Sequence, residues 1–241
     1  MGTSEIKIYR LPGFVFLFLL LIDVLSLALG YPQWHQVTKP LLMPALASFL
    51  FLNVAREERK YWGYVFAGLL FSWVGDVLLQ LEQFNPIFFL LGLASFLITH
   101  VCYIWYFRKL TLPAPHWWRV HWWAPATIFI YGVLLVAGLL PNLKSLTGPV
   151  IIYAAIISLM VVYSLRIQPH LPGYIWIWLA MGAFMFLISD SILALNKFHG
   201  NSDFAPSFVM LTYGMAQYFI VLGTIRFCRA IHDAGQAPAE G

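Results

Sequence analysis

Asp76 and Asp190 are lone carboxylates inside two apolar stretches that echo each other, FSWVGDVLLQLEQF and FLISDSILALNKF. An aspartate held in hydrocarbon costs roughly 2.5 to 3.5 kcal/mol on insertion scales, so packing alone gives little reason to keep one there and a buried acid points to chemistry. Other polar groups accompany the pair. Ser72, Asp76 and Gln80 recur every four residues and share a helix face, and Asp190, Ala194 and Lys197 form a similar stripe. Lys39 enters its segment from the same side, and Asn196, Tyr213 and Gln217 add hydrogen-bonding groups. Each of these also has a plain structural reading: Tyr213 and Gln217 as bonds between helices, Lys197 as a side chain reaching for the surface. The two aspartates are the residues that such readings leave unexplained.

Other chemistries find less support. Seven histidines are present, but only His100 falls inside an apolar span, and no HExxH or Cys/His cluster has ligand spacing. No metal site is expected. A serine hydrolase lacks its G-x-S-x-G, and Ser72 and Ser189 have no histidine at their depth. Carboxylate chemistry remains. His100, fourteen residues into its helix, is placed nearer the inner side, about 21 Å down by helical rise; it is either a packing histidine or one brought to the acids by tilt. Asp23 is a third buried acid and reads as a partner for Lys39.

Positioning these groups requires a membrane bundle. Hydrophobic residues make up 61% of the 241 and charged residues 10%, far from the balance of a soluble domain. The net charge of +4 therefore implies no nucleic acid partner. A span needs about 20 apolar residues, and eight candidates follow: 12–30, 38–54, 62–81, 86–107, 122–140, 147–165, 174–195 and 206–228. The expected fold is all-α, a single integral membrane domain over residues 1–241 with eight transmembrane helices and a disordered tail from residue 230. Residues 12–30 are too long for a signal peptide and lack a cleavage site, so they read as a retained helix. Pro40, Pro44 and Pro149 interrupt the second and sixth spans, which is tolerated where neighbours satisfy the freed backbone. Cys102 and Cys228 lie within apolar runs and suggest no disulfide.

Placing the N-terminus in the cytoplasm puts eleven of the fourteen basic residues on that side, as the positive-inside rule requires. Both termini are then cytoplasmic. The segment HWWRVHWW, residues 116–123, reads as an aromatic belt on the same face. Superposing Asp76 on Asp190 aligns Leu79, Leu81 and Phe84 with Leu193, Leu195 and Phe198, and a proline-aromatic helix entry follows each block. Two parallel four-helix halves would look like this. Each acid lies five residues before the outer end of its span, about 7 to 8 Å deep.

Four motifs in order resemble the YhhN-like lysoplasmalogenases: Gly75-Asp76 in FSWVGDVLL, Thr99-His100-Val101-Cys102-Tyr103, Ile188-Ser189-Asp190 with Leu195-Asn196-Lys197-Phe198, and Leu211-Thr212-Tyr213 with Ala216-Gln217. The likeness extends over nearly the whole chain, the eight helices and Lys39 included. Asp23 and HWWRVHWW stand outside it. Membership implies hydrolysis of the vinyl ether bond of a lysoplasmalogen, a single-chain lipid of the bilayer, to a fatty aldehyde and glycerophosphoethanolamine or glycerophosphocholine. It implies no cofactor, no metal and no obligatory protein partner. Such a bond is cleaved by protonating its β-carbon and capturing the resulting cation with water, which calls for one acid and one anion.

On that basis Asp76 is assigned as the general acid, because Val74, Gly75, Val77 and Leu78 around it are apolar. Asp190 is assigned as the carboxylate that orients water, with Ser189, Ser191 and Lys197 or Lys39 favouring its charge. The reverse order remains open, as does a role for Lys39 and Lys197 on the substrate phosphate with Asn196 and Tyr213 on the glycerol hydroxyl. The alternative function is a small proton-coupled transporter that uses the buried acids as a relay. Short loops fit a bacterial inner membrane; the family also occurs in the endoplasmic reticulum.

Overall fold

The computed structural model describes residues 10–111, 123–200 and 202–236. Among the described residues the chain forms eight α-helices and no strand: α1 (Leu11–Ala28), α2 (Pro32–Asn53), α3 (Arg59–Gln80), α4 (Ile87–Thr111), α5 (Trp123–Leu143), α6 (Thr147–Arg166), α7 (Gly173–Phe198) and α8 (Ala205–Gln236). Six stretches are long and apolar enough to cross a membrane. Two features separate this count from eight. α5 and α6 form one apolar stretch of 44 residues, folded back on itself at Lys144, whose φ of 48° is the left-handed turn that lets the two helices pack together. α2 falls short because its first turns carry Gln33, His35, Gln36 and Lys39.

Two boundaries differ from expectation. α8 runs on through residues 230–236, read from sequence as disordered, because Ala230 and Ile231 continue its buried stripe against the core. α7 ends at Phe198 rather than residue 195, held by an edge-on contact between Phe198 and Phe89 at 6.2 Å. Asp190 therefore lies eight residues from its helix end and Asp76 only four from its own, so the two acids are not at equal distances from the ends of their helices. Most of the HWWRVHWW segment lies outside the described residues; its last residue, Trp123, opens α5.

Each helix packs on the next in the order α1, α2, α3, α4, α6, α7, α8 and back to α1, which closes a ring. α8 also reaches α2 and α3 across it, while α5 leans on α6 and α7 from outside. Close approach is set by glycine. A Cβ on Gly68 would stand 2.5 Å from the Tyr103 ring, bringing α3 against α4, and one on Gly182 would stand 2.6 Å from Ile220, bringing α7 against α8.

α2 bends around two internal prolines and is repaired from α3. A proline lacks the N–H that would bond the carbonyl four residues earlier, which frees Gln36 O and Pro40 O. Gln80 Nε2 donates to Gln36 O at 3.4 Å and to His35 O at 3.2 Å, and Trp73 Nε1 donates to Pro40 O at 3.0 Å. Both orphaned carbonyls are thus satisfied by the neighbouring helix. Gln80→Leu and Trp73→Phe are each expected to lower stability by about 0.5 to 1.5 kcal/mol, the net worth of the hydrogen bond each side chain supplies. Thermal unfolding in detergent reads this out, and wild-type midpoints would refute the repair.

Candidate active site

The ring interior holds two polar centres, each built on one of the aspartates. Asp76, fully enclosed on α3, faces the Lys39 ammonium of α2 at 3.5 Å from Oδ1 and accepts a hydrogen bond from the Tyr213 hydroxyl of α8 at 2.7 Å on Oδ2. One turn inward a buried chain of neutral groups supports it. The Tyr103 hydroxyl donates to Gln217 Oε1 at 2.5 Å, and Gln217 Nε2 donates to Ser72 Oγ at 2.8 Å. Ser72 and Thr99 share a hydrogen bond of 3.1 Å, and the Thr99 hydroxyl also lies 3.1 Å from Gly68 O. Gln217 stands one turn from Tyr213 and Ser72 one turn from Asp76, so α3 and α8 meet along a single polar seam.

Asp190 on α7 forms the second centre. The Tyr153 hydroxyl of α6 donates to its Oδ2 at 2.6 Å, and His100 Nε2 of α4 lies 3.4 Å from the same oxygen. Neither His100 ring nitrogen makes a hydrogen bond, although both are buried. The imidazole is held by its edges, against Phe186 at 4.8 Å and Tyr153 at 5.3 Å. Buried polar atoms without partners are rare in stable cores, and this one is positioned to bond a substrate oxygen or a water beside Asp190.

No hydrogen bond or ion pair among the described residues joins Asp76 to Asp190. Phe186 lies between the centres, its ring 4.8 Å from His100, 5.5 Å from Tyr213 and 6.3 Å from Tyr103. An aromatic partition of this kind leaves an apolar floor with a carboxylate and a phenol on either side.

The structure gathers Asp76, Asp190, Lys39, Ser72, His100, Tyr103, Tyr213 and Gln217 around this partition, and it places four expected residues elsewhere. Lys197 forms an ion pair with Glu82 and lies over the Phe89 ring at 4.7 Å, so it belongs to the outer rim and not to Asp190. Asn196 Oδ1 accepts from the Ser202 N–H at 2.8 Å and so ties down the loop after α7. Ser189 donates to Val209 O at 3.1 Å and joins α7 to α8, while Gln80 serves the α2 backbone. Ser191 bonds Tyr131 and Leu187 O rather than the neighbouring acid. Lysine therefore stands beside Asp76 and not, as expected, beside Asp190.

Lys39, expected beside Asp23 or Asp190, meets Asp76 instead. Asp23 is instead satisfied by the Thr38 hydroxyl and by His35 Nδ1 at 3.0 Å. This buried cluster ties the first turns of α2 to α1 immediately before Lys39, so it holds the backbone that presents the ammonium. Tyr153 is the site residue that motif reading missed. A signal for it exists: Lys39 precedes Asp76 by 37 residues, and Tyr153 precedes Asp190 by the same 37. Among the described residues no three His, Cys, Asp or Glu side chains stand close enough to hold a metal ion.

The YhhN family profile matches residues 34–224, which include every residue of both centres. The chain is 30% identical over 176 residues to the Lysoplasmalogenase TMEM86A of Bos taurus, covering 70% of this chain and 68% of that protein. It is 30% identical over 214 residues to the Lysoplasmalogenase of Mycobacterium bovis, covering 88% and 77% respectively. The human Lysoplasmalogenase TMEM86A is 31% identical over 165 residues, 67% of this chain and 65% of that one. No solved structure matches the chain.

Proposed function

The chain belongs to the YhhN family, and we infer from this and from its paired acid centres that it is a lysoplasmalogenase, an integral membrane hydrolase of the vinyl ether bond. The observation that carries the mechanism is that Asp76 and Asp190 flank one aromatic partition inside one helical ring, with unlike partners. Asp76 is paired with an ammonium and takes the role of the anion. Asp190 is met by a phenol and a histidine, with no lysine or arginine paired to it among the described residues, and is the better proton donor. This reverses the roles that apolar neighbours alone suggest.

Asp190 transfers its proton to the β-carbon of the vinyl ether, and the double-bond electrons leave a cation shared between the α-carbon and the ether oxygen. The Asp76 carboxylate stabilises that cation and accepts a proton from the water that attacks the α-carbon. The hemiacetal then collapses: its hydroxyl proton goes to the Asp190 carboxylate, the bond from the α-carbon to the glycerol oxygen breaks, and Asp76 gives that oxygen the proton it took from water, which returns both acids to their starting states. A fatty aldehyde and a glycerophospho-base leave. His100, with its free ring nitrogens at Asp190, is positioned to return the proton.

An apolar groove of about 170 Å³ between α2 and α3, lined by Met43, Pro44, Ala47, Phe66, Leu70 and Trp73, offers a bed for the first part of the alkenyl chain. Met43 lies one turn from Lys39 and Trp73 one turn from Asp76, so a chain in this groove ends at the Asp76 centre. We read all eight helices as spans with both termini cytoplasmic, which the clustering of basic residues supports, in a bacterial inner membrane, which the short connections suggest. The equal spacing of Lys39–Asp76 and Tyr153–Asp190 supports two related halves. The names of the relatives favour a hydrolase over a proton-coupled carrier.

Purified full-length protein in detergent, given a 1-alkenyl lysophosphatidylethanolamine, is expected to release fatty aldehyde. The 1-acyl lysolipid with the same head group should be left intact. Absence of aldehyde from the alkenyl substrate would refute the reading.

A further inference from the structure

A cleft of about 460 Å³ lies at the other end of the ring from Asp76, where the start of α1, the start of α7 and the last turns of α8 meet. Arg10, Arg226 and Arg229 line it against, among the described residues, a single acid, Asp233. None of these residues serves either aspartate centre.

Two of the arginines are already fixed in place. The Arg226 guanidinium lies 5.1 Å over the Trp178 ring, and Arg229 Nη2 donates to Asn53 Oδ1 at 2.9 Å, leaving its buried Nε without a hydrogen-bond partner. The floor is equally rigid: Tyr218 stacks between Phe16 and Phe49 at 5.9 and 6.1 Å. Fixed guanidinium groups around a preformed hollow are the usual means of gripping a phosphate, because the planar fork loses little freedom on binding. An excess of positive charge in so confined a space also carries a standing repulsion that an anion relieves.

The surroundings select a lipid over a soluble anion. From the mouth of the cleft the outer face of α1 presents Phe14 and Phe18, 62% and 63% exposed, as an apolar track running along the bundle. Tyr174, 56% exposed, borders the mouth from α7. A head group on the arginines would lay its acyl chain on that track, with the tyrosine at the level of the interface. We propose that this cleft binds the phosphate of an anionic bilayer phospholipid, at a site separate from the hydrolytic centre.

Full-length protein in detergent is titrated with dioctanoyl phosphatidylglycerol, dioctanoyl phosphatidylcholine or inorganic phosphate while Tm is followed. A ligand that binds only the folded state raises Tm saturably, and the rise is expected with phosphatidylglycerol alone. Arg10→Gln/Arg226→Gln should weaken the apparent affinity at least tenfold while aldehyde release from the alkenyl substrate stays unchanged. Asp233→Asn should tighten binding several-fold at low salt, with the gain shrinking as salt is raised. Equal stabilisation by phosphatidylcholine, or an undiminished response in the double variant, overturns the proposal. An equal rise with inorganic phosphate marks a soluble-anion site and overturns it too. Should the double variant fail to fold, Asp233→Asn decides alone, and unchanged or weaker binding refutes the site.

Discussion

Asp190→Asn and Asp76→Asn are each expected to lower aldehyde release by about 10²- to 10⁴-fold, the range that a positioned acid or base contributes. Asparagine keeps the shape of each side chain and its acceptor oxygen, so Tyr153 and Tyr213 retain a partner; Asp76→Asn also strands the Lys39 ammonium, so it should lower Tm where Asp190→Asn does not, and its activity is read below its own midpoint. Size exclusion in detergent provides the folding control. The two losses differ in how they can be repaired. Removing a proton donor leaves a gap that a small added acid fills, so Asp190→Ala should recover activity with acetic acid in proportion to its undissociated fraction. Asp76→Ala should respond to the anion instead, because its role is to meet a cation and take a proton from water. If both variants respond to the same species, the unequal roles are wrong; if either asparagine variant hydrolyses at the wild-type rate, so is the two-acid mechanism.

Both acids, Lys39, Ser72, His100, Tyr213 and Gln217 were legible as polar groups in or at apolar segments, and so was the all-helical class, whereas Tyr103 was named only through the family resemblance. Spacing along one helix gives a face, and it says nothing about which neighbour that face meets. Lys39 illustrates the limit: Asp23 and Asp76 are both buried acids within its reach, and the choice falls to Thr38 and His35, which occupy Asp23 first. His100 shows the same limit in depth. It lies thirteen residues into α4 and looks too deep for the acids, yet α7 is longer than its apolar run and carries Asp190 inward to meet it. Lys197 was misplaced for the converse reason, since the added turn of α7 lifts it to Glu82 at the rim.

The partners of the two acids follow one pattern. Asp76 on α3 is met from α2, in its own half of the chain, and from α8, in the other; Asp190 on α7 is met from α6, in its own half, and from α4, in the other. A common ancestor of the halves would account for this crossing over, in which each half completes the centre of its counterpart. What differs is the residue 37 positions upstream of each acid, a lysine in one half and a tyrosine in the other. Two identical carboxylates have no means by themselves of dividing the work of acid and anion. The difference at that position supplies it, because Asp76 faces an ammonium at 3.5 Å while a phenol hydroxyl brings no charge to Asp190.

Lys39→Met should therefore affect stability and catalysis together. The ammonium and the Asp76 carboxylate are both buried, and removing one member of such a pair strands the other at a cost of about 3 to 5 kcal/mol. A marked fall in Tm is expected, and kcat should drop because the unpaired Asp76 takes up a proton and is no longer the anion the cation needs. Adding Asp76→Asn to Lys39→Met removes the stranded charge, so Tm should recover toward wild type while activity stays lost, a non-additivity that two independent sites would not show. The competing role for Lys39, gripping the substrate phosphate, makes a different forecast. There KM would rise with kcat retained, Tm would barely move, and the second substitution would restore nothing. Geometry favours the first outcome, since Lys39 is 8% exposed and its ammonium already faces a carboxylate, leaving little of its charge to offer a head group at the surface.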